Sequence, residues 1–250
     1  MNPHVYILIL NWNGKSVLEA CIDSVLKIDY SNYTILVIDN NSSDGSGNLV
    51  KVKYPNIEYL QLDKNYGFAE GYNQSFKYLK NKKTEFILLL NNDTEVDSDI
   101  LKNFIIASNY YGQNNIFGGK IFYKKNPQKI WYAGGKVNLK MGHIAHVGIR
   151  RKDSYKYSIQ KSTDYVTGCC LFTSMEIIDK LDGFDTRFNM YGEDVDICLR
   201  ARQKDVRCIF LPKVILWHHV SSSIGGNFSL KKHIKKIKSY KKLIFKHILN

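Results

Sequence analysis

No stretch of this 250-residue chain is apolar for anything near the roughly 18 residues that a membrane-crossing helix needs. The first ten residues, MNPHVYILIL, have no positively charged n-region and no small-residue cleavage site, so they read as a strand rather than a targeting peptide. A cytosolic location is the expectation. Cysteine is scarce and odd in number: Cys21, Cys169, Cys170, Cys198 and Cys208 show no Cys-x-x-Cys spacing, which argues against zinc and disulfide frameworks and for reduced core residues. Internal repeats and low-complexity linkers are missing. Acids are missing from the last 22 residues, SLKKHIKKIKSYKKLIFKHILN, which hold eight lysines. Without that tail the chain has 28 basic and 23 acidic residues, so a formal charge of +13 falls to +5 and the body is only mildly basic. The whole chain is 44% hydrophobic, enough for a substantial core in one domain with a modest appendage.

The first hundred residues alternate between two periods. VYILILNWN is a continuous apolar run ending in polar residues, the pattern of a strand buried on both faces of a parallel sheet. KSVLEACIDSVLK then places Val17, Leu18, Cys21 and Val25 at helical spacing. YTILVIDNNSSDGS, IEYLQLD and EFILLLNNDTEVD continue the strands, with a short helix and a helix from Phe68 to Leu79 between them. Such alternation means βαβ units around a parallel sheet. Ligands of these sheets bind beyond the carboxyl ends of the strands, so Asn11-Trp12-Asn13, Asp39-Asn40-Asn41 and Asn91-Asn92-Asp93 converge on one edge. Residues 110–165 read as glycine-, tyrosine- and lysine-rich strands and loops laid over the sheet. A helix after TGCCLFTSMEIIDKL, another at Val195–Arg202 and a strand in VRCIFLPKVILWHHVSSS complete the chain before its tail.

Taken singly, the motifs leave two readings open. An aspartate projected from the end of LLLNNDTEVD can ligate a hard cation, or the segment can simply precede a helix capped by Asp97 or Ser98. VIDNNSSDGS can be a turn, or Asp39 can accept a hydrogen bond from a nucleotide. KNYGFAEGYNQSF offers a helix start whose free N–H groups suit a phosphate, without being a GxGxxG or Walker loop. In NMYGEDVDICLRAR, acids in the first helical turn complement the macrodipole at roughly 0.3–1 kcal/mol each, and Asp196 can pair with Arg200 one turn on.

In their order along the chain, ILNWNG, VIDNNSSDGS, NYGFAEGYNQ, LLLNNDTEVD, TGCCLF, GFDTRFNMYGEDVDICLRAR and WHHVSSS resemble the family 2 glycosyltransferases of GT-A fold. The likeness spans about residues 4–225 and is strongest to the rhamnosyltransferase-like branch of bacterial surface-polysaccharide synthesis. It implies a Rossmann-like, mostly parallel sheet flanked by helices, with residues 1–110 as a nucleotide-binding half and 111–228 as an acceptor-binding half. It also implies an inverting transfer of a sugar from a nucleotide-sugar donor to a glycan or lipid-linked glycan, without nucleic acid as a partner. Asp39 matches the base-recognising aspartate, and Asn91-Asn92-Asp93 stands where the family carries DxD, its first acid replaced by asparagine. The implied donor-binding set is Asn11, Asn13, Asp39, Asn41, Asn65, Gly67, Asn73, Asn91, Asn92 and Asp93. Asp93 and His218 would hold Mn²⁺ or Mg²⁺, with His219 one residue away as the alternative to His218. Asp194 matches the catalytic base, Glu193 supports it or binds acceptor, and Trp131 and Gly168 fall on the acceptor side. His143 and His146 have an unpromising spacing for a metal pair.

In the tail, 229–250, Leu230, Ile234, Ile237, Ile244 and Ile248 form one stripe of a basic amphipathic helix. That helix suits an anionic membrane surface, or packs on the domain with a solvated lysine face. Two other classes compete. A sugar nucleotidyltransferase would carry a glycine-rich basic loop after its first strand, and NWNGKS is a poor version of one. A nucleic-acid binder would interleave aromatics with its lysines, which the tail scarcely does.

Overall fold

The apolar runs form strands because residues apolar on both faces have nowhere to go but the middle of a covered sheet. The computed structural model describes residues 2–188, 191–220 and 230–249, with the side chains of all but 230–235. Strand β1 (Val5–Asn11) is followed by α1 (Lys15–Val25), β2 (Tyr33–Asp39), α2 (Ser46–Lys53), β3 (Glu58–Gln61), α3 (Gly67–Leu79) and β4 (Phe86–Asn91). Then come β5 (Thr94–Val96), α4 (Ile100–Tyr111), β6 (Asn115–Tyr123), β7 (Asn126–Tyr132), and a hairpin of β8 (Gly135–Asn138) and β9 (His143–His146). The chain closes with β10 (Lys161–Thr163), β11 (Cys170–Ser174), α5 (Met175–Leu181), α6 (Glu193–Gln203), β12 (Arg207–His218) and α7 (Leu230–Ile244), extended by a π-helical turn at Phe245–Leu249.

The main sheet has the order β10-β12-β6-β11-β4-β1-β2-β3, with β5 added to β12 and β7 to β6. Strands β3, β2, β1 and β4 are mutually parallel, and β12 is parallel to β6. Strand β11 joins the two parallel sets by pairing antiparallel to both β4 and β6. The register aligns Asn11 with Asp39 and Leu10 with Asn91, so the three polar strand ends meet at one edge as expected. Phe172 of β11 fastens the junction, stacking on Phe104 of α4 with centroids 4.6 Å apart and on Phe86 of β4 at 4.9 Å. All five cysteines are buried. Among the described residues no helix is long and apolar enough to cross a membrane.

Four local expectations are corrected. Residues 115–123 do not lie over the sheet; they form its buried strand β6. The pattern was obscured because Gly118 and Gly119 make room for Val166 and Val214, while buried Lys120 is neutralised by Asp153 at 2.9 Å. The stretch TGCCLFTSMEIIDKL is not followed by a helix but contains one, α5, after strand β11, and Ser174 caps it by accepting from Ile177 N–H. Neither Asp97 nor Ser98 is the cap of α4: that position is Asp99, and Asp97 accepts the Asp99 N–H. Helix α6 begins at Glu193 rather than Val195, which puts all three acids inside its first turn.

Candidate active site

At the strand-end edge, backbone geometry is set by amide side chains. Buried Asn11 donates to Ser42 and Ser46 hydroxyls and accepts 2.7 Å from the Asn92 side chain, tying β1 to the loops after β2 and β4. Asn13, in the left-handed region at φ 50°, accepts the Ser43 N–H, and Asn41 is exposed at φ 60°. Asp39 is 1% exposed; its carboxylate accepts from Ser42 N–H and hydroxyl and from Tyr59 hydroxyl at 2.6 Å. Asn65 accepts the Gly67 N–H at the start of α3, and Asn40 donates to the Gly67 carbonyl. Asn73 does not reach this edge: both its amide atoms are consumed by the Phe184 backbone, 2.8 and 2.9 Å away. It staples α3 to the loop before α6.

The loop after β4 brings Asp93 to the end of β12. Asp93, 5% exposed, has Oδ1 3.1 Å from His218 Nε2, and Trp131 packs edge-on against the imidazole at 4.5 Å. His219 points elsewhere, 2.7 Å from Glu95, which also receives Lys124. The structure therefore separates the two histidines: His218 faces Asp93. An imidazole nitrogen and a carboxylate oxygen side by side are a donor set that suits Mn²⁺ or Mg²⁺. His218 Nδ1 is buried with no hydrogen-bond partner among the described residues.

Helix α6 supplies the acids. Gly192 precedes it at φ 93°, a left-handed turn that aims Glu193 and Asp194 inward. Asp194 accepts N–H groups of Gly168, at 3.2 Å, and Val195, at 2.9 Å. Position 168 must be glycine for this approach, since a Cβ there would stand 2.5 Å from the Phe68 ring. Burial raises the Asp194 carboxyl, and the N–H donors and Thr167 oppose it. Glu193 is different: burial and then the adjacent Asp194 charge push it up to about 8, and its Oε2 is buried with no partner among the described residues. Burial and the neighbouring charge thus favour the protonated form of Glu193, while the N–H donors around Asp194 favour its anion. Asp196 turns away and is fully buried. Burial would raise it, but His247, Lys246 and Arg200 hold it below the usual carboxylate range.

His218 of the first cluster and both acids of the second line one cleft of about 730 Å³, together with Asn91, Trp131 and Gly168. Sequence reasoning missed part of its wall. His146 lies in it, bonded to the Trp131 carbonyl and stacked edge-on with that ring at 4.4 Å, whereas His143 is exposed, so the two do not meet. Burial pushes His146 down to about 4, which keeps it neutral. Helix α7 also lines the cleft through Lys236, Ser239, Tyr240 and Leu243. Its stripe is not the one expected: Leu243 and Ser239 are buried, while Ile237 is 58% and Ile248 40% exposed. The side chains of Leu230 and Ile234 lie outside the described residues.

The model of glycosyl transferase family 2 matches residues 6–182, which include every strand of the edge formed by Asn11, Asp39 and Asn91. This chain belongs to that family. Rhamnosyltransferase WbbL of Escherichia coli K12 is 26% identical to the family 2 chain over 259 residues, covering 98% of it and 95% of WbbL. N-acetylglucosaminyl-diphospho-decaprenol L-rhamnosyltransferase of Mycobacterium tuberculosis is 21% identical, covering 83% of this chain and 73% of that one. Other relatives are far longer: the chain spans 18% of the O-antigen biosynthesis protein RfbC of Myxococcus xanthus and 25% of the length of a Sinorhizobium fredii protein. Among solved structures, GalNAc-T7 with UDP, GalNAc and Mn²⁺ superposes with a TM-score of 0.75 at 16% identity, covering 97% of this chain and 47% of that one. The fold is thus GT-A, a mostly parallel sheet with flanking helices and a C-terminal helix.

Proposed function

We propose that the protein transfers a sugar, a hexose or rhamnose, from a nucleoside-diphosphate donor to a hydroxyl of a glycan or lipid-linked glycan, inverting the anomeric carbon. The observation that carries this reading is one cleft, with Asn91 of a strand end in its wall, that Glu193 and Asp194 share with His218, the imidazole paired with Asp93. The donor's nucleotide belongs to the edge built by residues 1–110, with Asp39 toward the base, and the acceptor to the walls built by 111–228. We read the two as halves of one unit, a reading that the continuous sheet supports. Relatives named for rhamnosyl transfer and polysaccharide synthesis support the reaction class, and neighbours holding UDP or GDP-mannose with Mn²⁺ support the donor and the metal. We place the work at the cytoplasmic side of a membrane, with 229–250 as the peripheral contact.

The chemistry follows from the residues. Asp194, ionised and steadied by two N–H donors, takes the proton of the acceptor hydroxyl. The hydroxyl oxygen bonds to the anomeric carbon as the carbon–oxygen bond to the diphosphate breaks, so no enzyme nucleophile is needed. Glu193 keeps its proton and donates to an acceptor oxygen, holding the hydroxyl in line. Asp93 and His218 would hold the divalent ion, which when bound neutralises charge on the departing diphosphate.

Thermal shift with a panel of nucleoside diphosphates, with and without Mn²⁺, tests this directly. Metal-dependent stabilisation by one nucleotide class is expected in the wild type and is lost in Asp93→Ala. No stabilisation by any nucleotide under either metal condition would reject the reading.

A further inference from the structure

The two acids of the cleft sit inside one helical turn whose ends are both held by the far end of the chain. The turn opens at Gly192, whose carbonyl accepts the Asp196 N–H at 2.8 Å, with Glu193 and Asp194 between them. It is entered through two successive left-handed residues, Tyr191 at φ 70° and Gly192 at φ 93°. A tyrosine keeps such a conformation only where its surroundings impose it.

Helix α7 supplies those surroundings at the start of the turn. The Ser239 hydroxyl donates to the Tyr191 carbonyl. Ser239 and Leu243 also close over Gly192, where a Cβ would stand 2.9 Å from Ser239 Oγ and 3.2 Å from Leu243 Cδ1. The π-helical extension of α7 holds the other end. Asp196 is fully buried, and its Oδ1 accepts from Lys246 Nζ at 2.7 Å and His247 Nε2 at 2.8 Å, while Arg200 Nε holds Oδ2 at 2.8 Å. A carboxylate is an acceptor only, so Nε2 is the protonated nitrogen of His247 in this contact. Lys246 reaches Asp185 as well, at 2.7 Å, and Tyr240 donates to the Leu139 carbonyl at 3.3 Å, so α7 is itself anchored to the domain. Neither Asp196 nor His247 lines the cleft. Their contact lies behind the acids, where it can act on them only by placing the turn.

Resting on the transferase reading of this cleft, we propose that His247 is a positioning residue for the transfer. Through Asp196 it fixes the turn that aims Asp194 at the acceptor hydroxyl. A base works only within hydrogen-bond reach of its proton, and a displacement of about 1 Å can cost on the order of 10²-fold in rate. The C-terminal helix therefore belongs to the catalytic unit although its end touches no reacting atom.

The test compares the full chain as wild type, His247→Ala, His247→Gln and Lys241→Ala, the last an exposed residue of the same helix. In His247→Ala, Lys246 and Arg200 remain on Asp196, so the domain should fold. Hydrogen exchange read by mass spectrometry should rise about tenfold in the peptide covering 191–198 and stay at wild-type levels in the sheet. Release of nucleoside diphosphate is followed from a nucleotide-sugar of the class that the thermal-shift panel selects, with water as acceptor. Its kcat should fall between about tenfold and a hundredfold, with KM unchanged. The glutamine side-chain N–H can take the place of Nε2–H, so His247→Gln should restore both readouts, and Lys241→Ala should match wild type in both. Exchange at 191–198 that is unchanged, or that rises equally across the chain, overturns the proposal. So does turnover of His247→Ala within about twofold of wild type, or a glutamine variant no better than alanine. Exchange is read without ligand, so after any of these outcomes nucleoside-diphosphate binding leaves the transferase reading standing. A chain that binds no nucleoside diphosphate overturns both.

Discussion

Asp194→Asn should lower kcat/KM about a thousandfold, within the range that positioned acid–base catalysis supplies. Asparagine keeps an oxygen for the Gly168 and Val195 N–H groups, so the start of α6 and the Gly168 turn should survive. The melting temperature and the nucleotide affinity are therefore expected to match wild type, and the loss should fall on turnover. The wild-type rate should also decline on the acid side as Asp194, raised by burial, takes up its proton. Steady-state rates of the variant across a pH series check both statements. Activity within about tenfold of wild type would remove Asp194 from the role of base and leave Glu193 as the candidate.

Glu193→Gln separates stability from catalysis by pH. The carboxyl has an ordinary value of 4.5 and is pushed up to about 8 in the fold, by burial and then by the Asp194 charge. Between those values the native state holds a proton that the unfolded chain has released. The protonated group thus contributes its stability fully below 4.5 and loses it as pH rises through about 8. Of the charged groups sharing the cleft, Asp194 adds to the charge, His146 is neutral, and Lys236 is exposed on α7. Glutamine has no charge to bury. The variant should melt like wild type near pH 5 and on the order of 10 °C above it near pH 9, from a few kcal/mol of relieved burial. Differential scanning fluorimetry at the two pH values measures this. Equal melting at both would mean that Glu193 is not charged at a cost in this fold. Catalysis should nonetheless fall, because the amide replaces a proton-bearing oxygen at the acceptor hydroxyl.

Much of the polar strand-end edge was legible in the chain because each piece is local. VYILIL, YTILVID and FILLLN are too apolar to sit anywhere but inside a parallel sheet, and each ends in amides and aspartate that cannot follow it there. In-register pairing then brings Asn11, Asp39 and Asn91 to one line. Asn73 shows the limit of that reasoning: its neighbours in NYGFAEGYNQ suggest a ligand edge, but helical periodicity turns it toward Phe184. The middle of the chain was illegible for a different reason. In β6 the glycines at 118 and 119 and the charge of Lys120 hide a buried strand, since the side chains that fill those gaps, Val166, Val214 and Asp153, come from distant segments.

The sequence by itself determined the alternating architecture, the family, the convergence of the polar strand ends and the crowding of acids at the start of α6. The architecture and the acid cluster rest on periodicity and spacing within single elements, the convergence on how parallel strands pair, and the family on the resemblance carried by the ordered motifs. Only the tertiary structure decided that the His218 rather than the His219 side chain faces Asp93, that Glu193 Oε2 is left buried without a partner among the described residues, and which side of α7 packs on the domain. The tail's apolar stripe predicts a face, but Asp185 and Asp196 bind the opposite face through Lys246 and His247, leaving Ile237 and Ile248 outward. Pairings across fifty residues or more set burial and charge at a site, and a linear pattern of hydrophobicity holds no record of them.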